Sequence, residues 1–437
     1  ITENDPNGRK YFVDKNGNVT EYIEREQGEP EGTDGENFNM GVGTIEVEFL
    51  EGTGYSIGEA NEPLLDENTM IPIIYNEGTS KWRATTKDDE DWYNYDPENR
   101  KWANVMLSDG TYTVENVPKD RDLEENELGS MFVWIPRYAY KIVYFDNQTD
   151  KENYIAGGRT DTSKIVGYSD SRGMVDKEGK VRADVTENIT GIKVGDNYRP
   201  HPVFESNVEQ GGWGQRTTGI WVGKFETTTK PSTNGTNMIL PNQTSQRSLN
   251  VSTMFSRAQD IGRNLNMTLD SHMMKNTEWG ATAYLAESKY GRNGTEVTIN
   301  NNGTTYFTGG GESNAYVTNT PQSSTGNVYG IYDLSGNAWE YVAAAYSTRS
   351  EIGTTDGSTK YATVYDGTDV NTDYKYGDAT YETSGWHSDN ASFVGSAYPF
   401  FGRGGLCNVD DIAGVFYFGR GNGYGGSSNS FRLALVV

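Results

Sequence analysis

Apolar residues along this chain come in short runs set among polar stretches, and the spacing within each run separates strands from helices. Thr44-Ile45-Glu46-Val47-Glu48-Phe49 and Thr111-Tyr112-Thr113-Val114 alternate with period two, the pattern of a strand with one face buried and one wet. Ile71-Pro72-Ile73-Ile74-Tyr75 and Met131-Phe132-Val133-Trp134-Ile135 are continuous apolar runs. None approaches the ~20 residues of a membrane helix. Helical spacing is convincing at two places. One helix is predicted to start near Ser252 as N-cap, with Met254, Phe255, Ala258 and Ile261 on one face. The other starts near Asn276 or Thr277, with Trp279, Ala283 and Ala286 on one stripe and Glu278 in the first turn, where it suits the helix dipole.

These patterns divide the chain. Residues 1–42 lack apolar periodicity and read as an acidic N-terminal segment, flexible from Arg25 to Asn39. Residues 43–118 read as a small β-rich module with Trp82, Trp92, Tyr93, Tyr95 and Trp102 among polar residues, and residues 119–129 as a second acidic linker. Residues 130–437 combine many short strands, long Gly/Asn/Ser/Thr loops and the two helices, which predicts an α+β domain whose loops carry the function.

Composition narrows the function classes. The 437 residues carry 62 Asp+Glu against 37 Lys+Arg, a formal charge of −25. Nucleic acid is excluded as the expected partner, because binding it needs a basic stripe. Aromatic residues at 12%, with 29 Tyr and 9 Trp, argue for a folded chain rather than an acidic disordered one. One Cys and three His, in no ligand spacing, exclude a disulfide framework and a Cys/His zinc site. The sequence opens at Ile1 rather than Met, which reads as a processed product from which a signal peptide or anchor has been removed. The run Thr308-Gly309-Gly310-Gly311 lacks the Lys of a phosphate loop and reads as a turn.

Five segments, in order, resemble one superfamily. Met131–Pro136 and Ile220-Trp221-Val222-Gly223-Lys224-Phe225-Glu226-Thr227 are similar to the first core strands of the formylglycine-generating enzyme/sulfatase-modifying-factor superfamily. Lys275-Asn276-Thr277-Glu278-Trp279-Gly280-Ala281-Thr282-Ala283 resembles its main helix. Val328-Tyr329-Gly330-Ile331-Tyr332-Asp333-Leu334-Ser335-Gly336-Asn337-Ala338-Trp339-Glu340-Tyr341 resembles its signature turn, and Gly402-Arg403-Gly404-Gly405 with Ser430-Phe431-Arg432 its closing motif. The resemblance spans roughly 300 residues and implies an elaborated C-type-lectin-like domain. The family's oxidase chemistry needs a Cys pair, and only Cys407 is present, so a divergent oxidase is the third and weakest reading and no redox cofactor is expected. In the family the turn holds structural calcium. This implies side-chain oxygens of Asp333 and Glu340 and backbone carbonyls of Gly336 and Ala338 as ligands, a donor set suited to a hard cation. The alternative is a turn held by hydrogen bonds alone, with Trp339 as packing.

The tail carries a second resemblance. The frame Phe401–Gly405, Ala413–Phe418 and Ser430–Arg432 brackets two irregular stretches and resembles the variable region, 401–432, of bacterial and phage diversity-generating-retroelement target proteins. Mutagenesis of adenines in that system turns Asn codons into codons for fifteen residue types, never Lys, Gln, Glu, Met or Trp. Those five types number 78 in the chain and none from His387 to Val437. An ordinary invariant Gly-rich loop would also be poor in them. The resemblance implies a paratope of Leu406, Cys407, Asn408, Val409, Asp410, Asp411 and Ile412, then Gly419, Gly421, Asn422, Tyr424, Gly426, Ser427, Ser428 and Asn429. Tyr, Ser, Gly and Asn are residues that adaptable binding loops favour. The expected protein is non-catalytic and displayed on a cell or virion surface or secreted, and its partner is a protein or surface glycoconjugate, since the site is broad rather than a deep pocket. An invariant subunit of a surface filament or phage particle is the alternative.

Overall fold

The computed structural model describes residues 10–13, 19–22, 41–168, 198–229, 237–302, 305–310, 315–354, 360–408 and 412–436. The linker expected at 25–39 lies outside them. Lys10–Val13 and Val19–Tyr22 pair as a short antiparallel hairpin.

The fold is mixed, with few helices and many antiparallel strands in several sheets, in agreement with the α+β expectation. The largest sheet has seven strands in the order Asp270–Met273, Leu433–Val436, Gly219–Gly223, Met131–Pro136, Asn104–Leu107, Met70–Asn76 and Lys81–Ala84, all pairings antiparallel. Met131–Pro136 is buried at every position, as a continuous apolar run requires. Such a strand is covered on both faces, and here it is also paired on both edges, by Gly219–Gly223 and by Asn104–Leu107. Gly43–Phe49 likewise pairs with Tyr138–Phe145 over seven residues of a second sheet. The strands of 43–118 therefore continue the sheets of the larger part rather than closing on themselves, and Ile71, Ile73, Trp82 and Trp102 join the same core as Trp134, Trp221 and Trp279.

Two short elements differ from expectation for local reasons. Thr111–Val114 is not a strand: Asn116 folds back, its side chain accepting from Thr113 N at 2.8 Å, and Val117 N donates to Thr113 O at 3.1 Å. The acidic stretch 119–129 is packed rather than a spacer. Leu123 N donates to Trp82 O at 2.7 Å, Leu123 and Leu128 are buried, and half-buried Glu125 accepts from Asn242 Nδ2 at 2.8 Å while Glu124 faces water.

The helix Asn276–Glu287 starts where the sequence places it, with Glu278 accepting from Lys275 N at 2.8 Å. It is buried all round rather than along a stripe, because its small residues admit neighbours on every side. A Cβ on Gly280 would lie 1.8 Å from Gly377 O. The other expected helix is Val251–Ala258, capped by Asn250, whose side chain accepts from Thr253 N at 2.9 Å, so Ser252 sits inside it. Ile261 belongs to a following short helix, Asp260–Leu265. A further helix, Gln148–Ala156, gave no signal because its sequence has no apolar face.

The five-stranded sheet positions the tail. Its path runs Thr363–Tyr365, Trp339–Tyr346, Phe400–Arg403 and Phe418–Gly421, and Asn429–Phe431 pairs in parallel with Trp339–Tyr341.

Candidate functional site

The tail is built on alternation. Phe400 pairs with Gly421, Phe401 with Arg420 and Gly402 with Gly419. A Cβ on Gly419 would lie 2.9 Å from the Trp339 ring, one on Gly421 2.3 Å from Tyr341 Oη, and one on Gly423 2.5 Å from the Phe400 ring. At Gly425 the obstacle is the backbone of Ser248 and Leu249, 2.8–2.9 Å away. Every second residue from 419 to 425 is thus a glycine turned against the body of the protein. Arg420, Asn422 and Tyr424 point the other way, and Tyr424 is 75% exposed.

Backbone hydrogen bonds hold the two irregular stretches. Ser248 N donates to Gly426 O at 3.1 Å, Val251 N to Gly423 O at 2.9 Å and Trp339 N to Ser428 O at 2.9 Å. The Arg247 guanidinium donates to Ser427 O. On the first stretch, Cys407 N donates to Asn337 O at 2.9 Å and Asn390 N to Ile412 O at 3.1 Å. Phe416 N donates to Asp389 Oδ2 at 2.9 Å, and Trp279 Nε1 to Val415 O at 2.8 Å. These contacts fix most of the path of the chain without using tail side chains; the exceptions are Asn422 Oδ1, which accepts from Tyr424 N at 3.1 Å, and Asn429 Nδ2, which donates to Tyr424 O at 3.5 Å.

The expected paratope residues divide by this geometry. Asn408, Ile412, Asn422, Tyr424 and Ser427 are exposed; Leu406, Gly426, Ser428 and Asn429 are half-buried. Val409, Asp410 and Asp411 lie outside the described residues. Three positions are not on the surface expected of them. Gly419 and Gly421 face inward, and Cys407 is buried against Tyr306, Ala338 and Leu406, where burial pushes its thiol above the ordinary range. Two exposed residues were missed: Arg420, and Tyr398 at 48% exposure, over whose ring the Arg420 guanidinium sits at 5.8 Å. The Gly-x-Gly-x-Gly-x-Gly period in the sequence was the available signal for Arg420; Tyr398 had none.

Beneath the tail lies the turn expected to hold calcium. Asp333, Gly336 and Asn337 all adopt left-handed conformations. Asp333 Oδ1 accepts from Asn300 Nδ2 at 2.7 Å and Gly309 N at 2.8 Å. Both oxygens of Glu340 are taken by Arg432, Oε2 accepting from Nε at 3.0 Å and Oε1 from Nη2 at 2.6 Å. Arg432 further donates to Gly223 O at 2.8 Å and Tyr332 O at 2.9 Å. Ala338 N donates to Glu226 Oε1 at 3.0 Å, a third buried carboxylate beside the turn. Burial first, then the charges of Glu340 and Asp333, hold the Glu226 carboxyl well above the usual range.

Of the four expected ligands, Glu340 is already committed in this arrangement. Both Glu340 oxygens are spent on a guanidinium, and a second cation beside that guanidinium would be repelled. Asp333 Oδ2 and, beside it, Glu226 Oε2 are both left without a hydrogen-bond donor among the described residues. Arg432 supplies one positive charge among the three buried carboxylates Glu226, Asp333 and Glu340. The melting temperature is accordingly expected to stay the same in chelator and in millimolar calcium; a rise of several degrees with calcium, abolished by Asp333→Ala, would contradict this assignment.

A second buried acid supports the base of the tail. Asp389 underlies Phe416, and burial, opposed by His387 and reinforced by Glu296, raises its carboxyl to about 7. Because the folded pKa exceeds the unfolded one, the folded state binds more protons from about pH 4 upward. The stability this group contributes is complete below that range and is lost as pH rises through 7. The expected outcome is a higher melting temperature at pH 5 than at pH 8, with a flatter profile in Asp389→Asn.

Compared with known proteins, the chain matches no family model and no curated sequence.

Proposed function

We propose that the chain is a non-catalytic ligand-binding protein whose C-terminal tail is a diversified site. In this reading it is a retroelement variable protein on a C-type-lectin-like domain of the formylglycine-generating-enzyme superfamily. It acts at a cell or virion surface, or after secretion, on a protein or surface glycoconjugate. The observation that carries the reading is a coincidence. The stretch free of Lys, Gln, Glu, Met and Trp is also the stretch where outward side chains stand on a backbone clamped by glycines and main-chain hydrogen bonds. Exposed substitutions on such a frame cost within about 0.5 kcal/mol, so binding can be retuned without unfolding. The lone buried Cys407 gives no support to oxidase chemistry, which needs an accessible thiolate pair.

Two experiments test the reading. The coding sequence of the tail should have a near-copy beside a reverse-transcriptase gene, differing only where the copy has adenine; differences at other bases would remove the retroelement claim. Exchange of residues 406–429 between natural variants should transfer binding on cell and glycan arrays. Binding that stays with the recipient would favour the invariant filament or particle subunit.

A further inference from the structure

We propose that the outer edge of the strand Phe418–Gly421, open at Arg420, takes an extended segment of a partner protein as an added β-strand that continues the edge beyond Ser392, with Arg420 reading a carboxylate on that segment. This rests on the tail being the binding site and specifies how it binds and what chemistry it selects.

The direction of the main chain is fixed by its neighbours. Phe418 N donates to Asn390 O at 3.0 Å, and Ser392 N donates to Phe418 O at 2.9 Å. The polar groups of Phe418 therefore point away from the paired strand Phe400–Arg403. In an antiparallel ladder such groups alternate sides, so those of Arg420 point to the same outer edge. The segment covering that edge leaves it after Ser392, because Phe393 and Val394 turn into the core. Among the described residues, nothing bonds to the main-chain N–H or C=O of Arg420 on the outer side. Proteins commonly blunt or cover such an edge, since it templates pairing with another chain.

The side chains say which chain would fit. Arg420 is exposed and has no carboxylate partner among the described residues, in a protein of net charge −25. Its guanidinium rests on Tyr398, and Tyr398 and Tyr424 are 48% and 75% exposed. Asn422 follows Arg420 on the same face about 7 Å along. An added strand would lay one acidic side chain on Arg420 and apolar ones, two residues away, on the tyrosines. Aromatic and arginine side chains are the types that dominate binding energy at protein interfaces.

The test selects random twelve-residue linear peptides displayed on phage against the full chain, then measures a synthetic peptide of the enriched sequence. The expected enrichment is an Asp or Glu with an apolar residue two positions away. Arg420→Glu should weaken the peptide about tenfold or more, as loss of a close interfacial charge pair does, and a Lys in place of the peptide acid should restore it. Bound peptide should also slow hydrogen exchange at the Arg420 amide. The proposal is overturned if no peptide is enriched, if Arg420→Glu leaves affinity unchanged, or if the Arg420 amide exchanges as before. Peptide binding that ignores Arg420→Glu yet disappears on exchange of residues 406–429 would sink this edge while leaving the tail as the site. Binding indifferent to both changes would sink both.

Discussion

Arg432→Met is expected to destabilise the protein by about 3–5 kcal/mol, the cost of removing one partner from a fully buried charge pair. Arg432 and Glu340 are both inaccessible and meet through two hydrogen bonds, while the remaining guanidinium donors satisfy Gly223 O and Tyr332 O. Without the guanidinium, three carboxylates (Glu226, Asp333 and Glu340) share a buried region with no cation paired to them among the described residues, and two backbone carbonyls lose their donor. The loss should fall when Glu340 is removed as well, so that Arg432→Met with Glu340→Leu unfolds at a higher denaturant concentration than Arg432→Met alone. Equal stability of the two would mean that the pair is not what holds the turn. Calcium should not rescue Arg432→Met.

The second large effect is a contrast along four consecutive residues of the tail. Gly421→Val and Gly423→Val are expected to cost about 1–3 kcal/mol each through overpacking. Gly423→Val adds strain, because Gly423 has φ of +81° and a β-branched residue tolerates that poorly. Their Cβ atoms would meet Tyr341 and Phe400, rigid rings that are themselves buried. One position away, Tyr424→Val is expected within about 0.5 kcal/mol of the parent, and Asn422→Val to cost about 0.5–1 kcal/mol through the lost hydrogen bond from Tyr424 N. Chemical denaturation of the four variants reads this directly. A Gly421→Val protein as stable as Tyr424→Val would mean that the alternation does not set which positions can vary.

Much of the sheet was legible because strands announce themselves by period and by continuous apolar runs. Met131–Pro136 stands where its continuous apolar run lies, and Gly219–Gly223 where the resemblance implied a core strand, the two paired with each other. The join between residues 43–118 and the rest was not legible. Nothing in a strand's own residues names the strand that will hydrogen-bond to its edge, so Asn104–Leu107 could have closed a sheet of its own. The tail shows the same limit at finer grain. A Gly-rich segment without Lys, Gln, Glu, Met or Trp marks where to look, but which glycines are obligatory depends on Trp339, Tyr341 and Phe400, rings brought there by other strands. Cys407 read as a surface residue because its neighbours are loop residues, whereas the fold buries it under Tyr306 and Ala338. The carboxylates of the turn were recognisable, but their cation was not, because Arg432 lies 92 residues from Glu340 in sequence.

The most direct measurement is a tail library in which Asn408, Ile412, Arg420, Asn422, Tyr424 and Ser427 are randomised together in the full chain, sorted for folding and then profiled for binding on an array of surface proteins and glycans. The account predicts that most members stay folded and that their binding profiles differ from one another and from the parent. Folded members that all keep the parent's profile would contradict it.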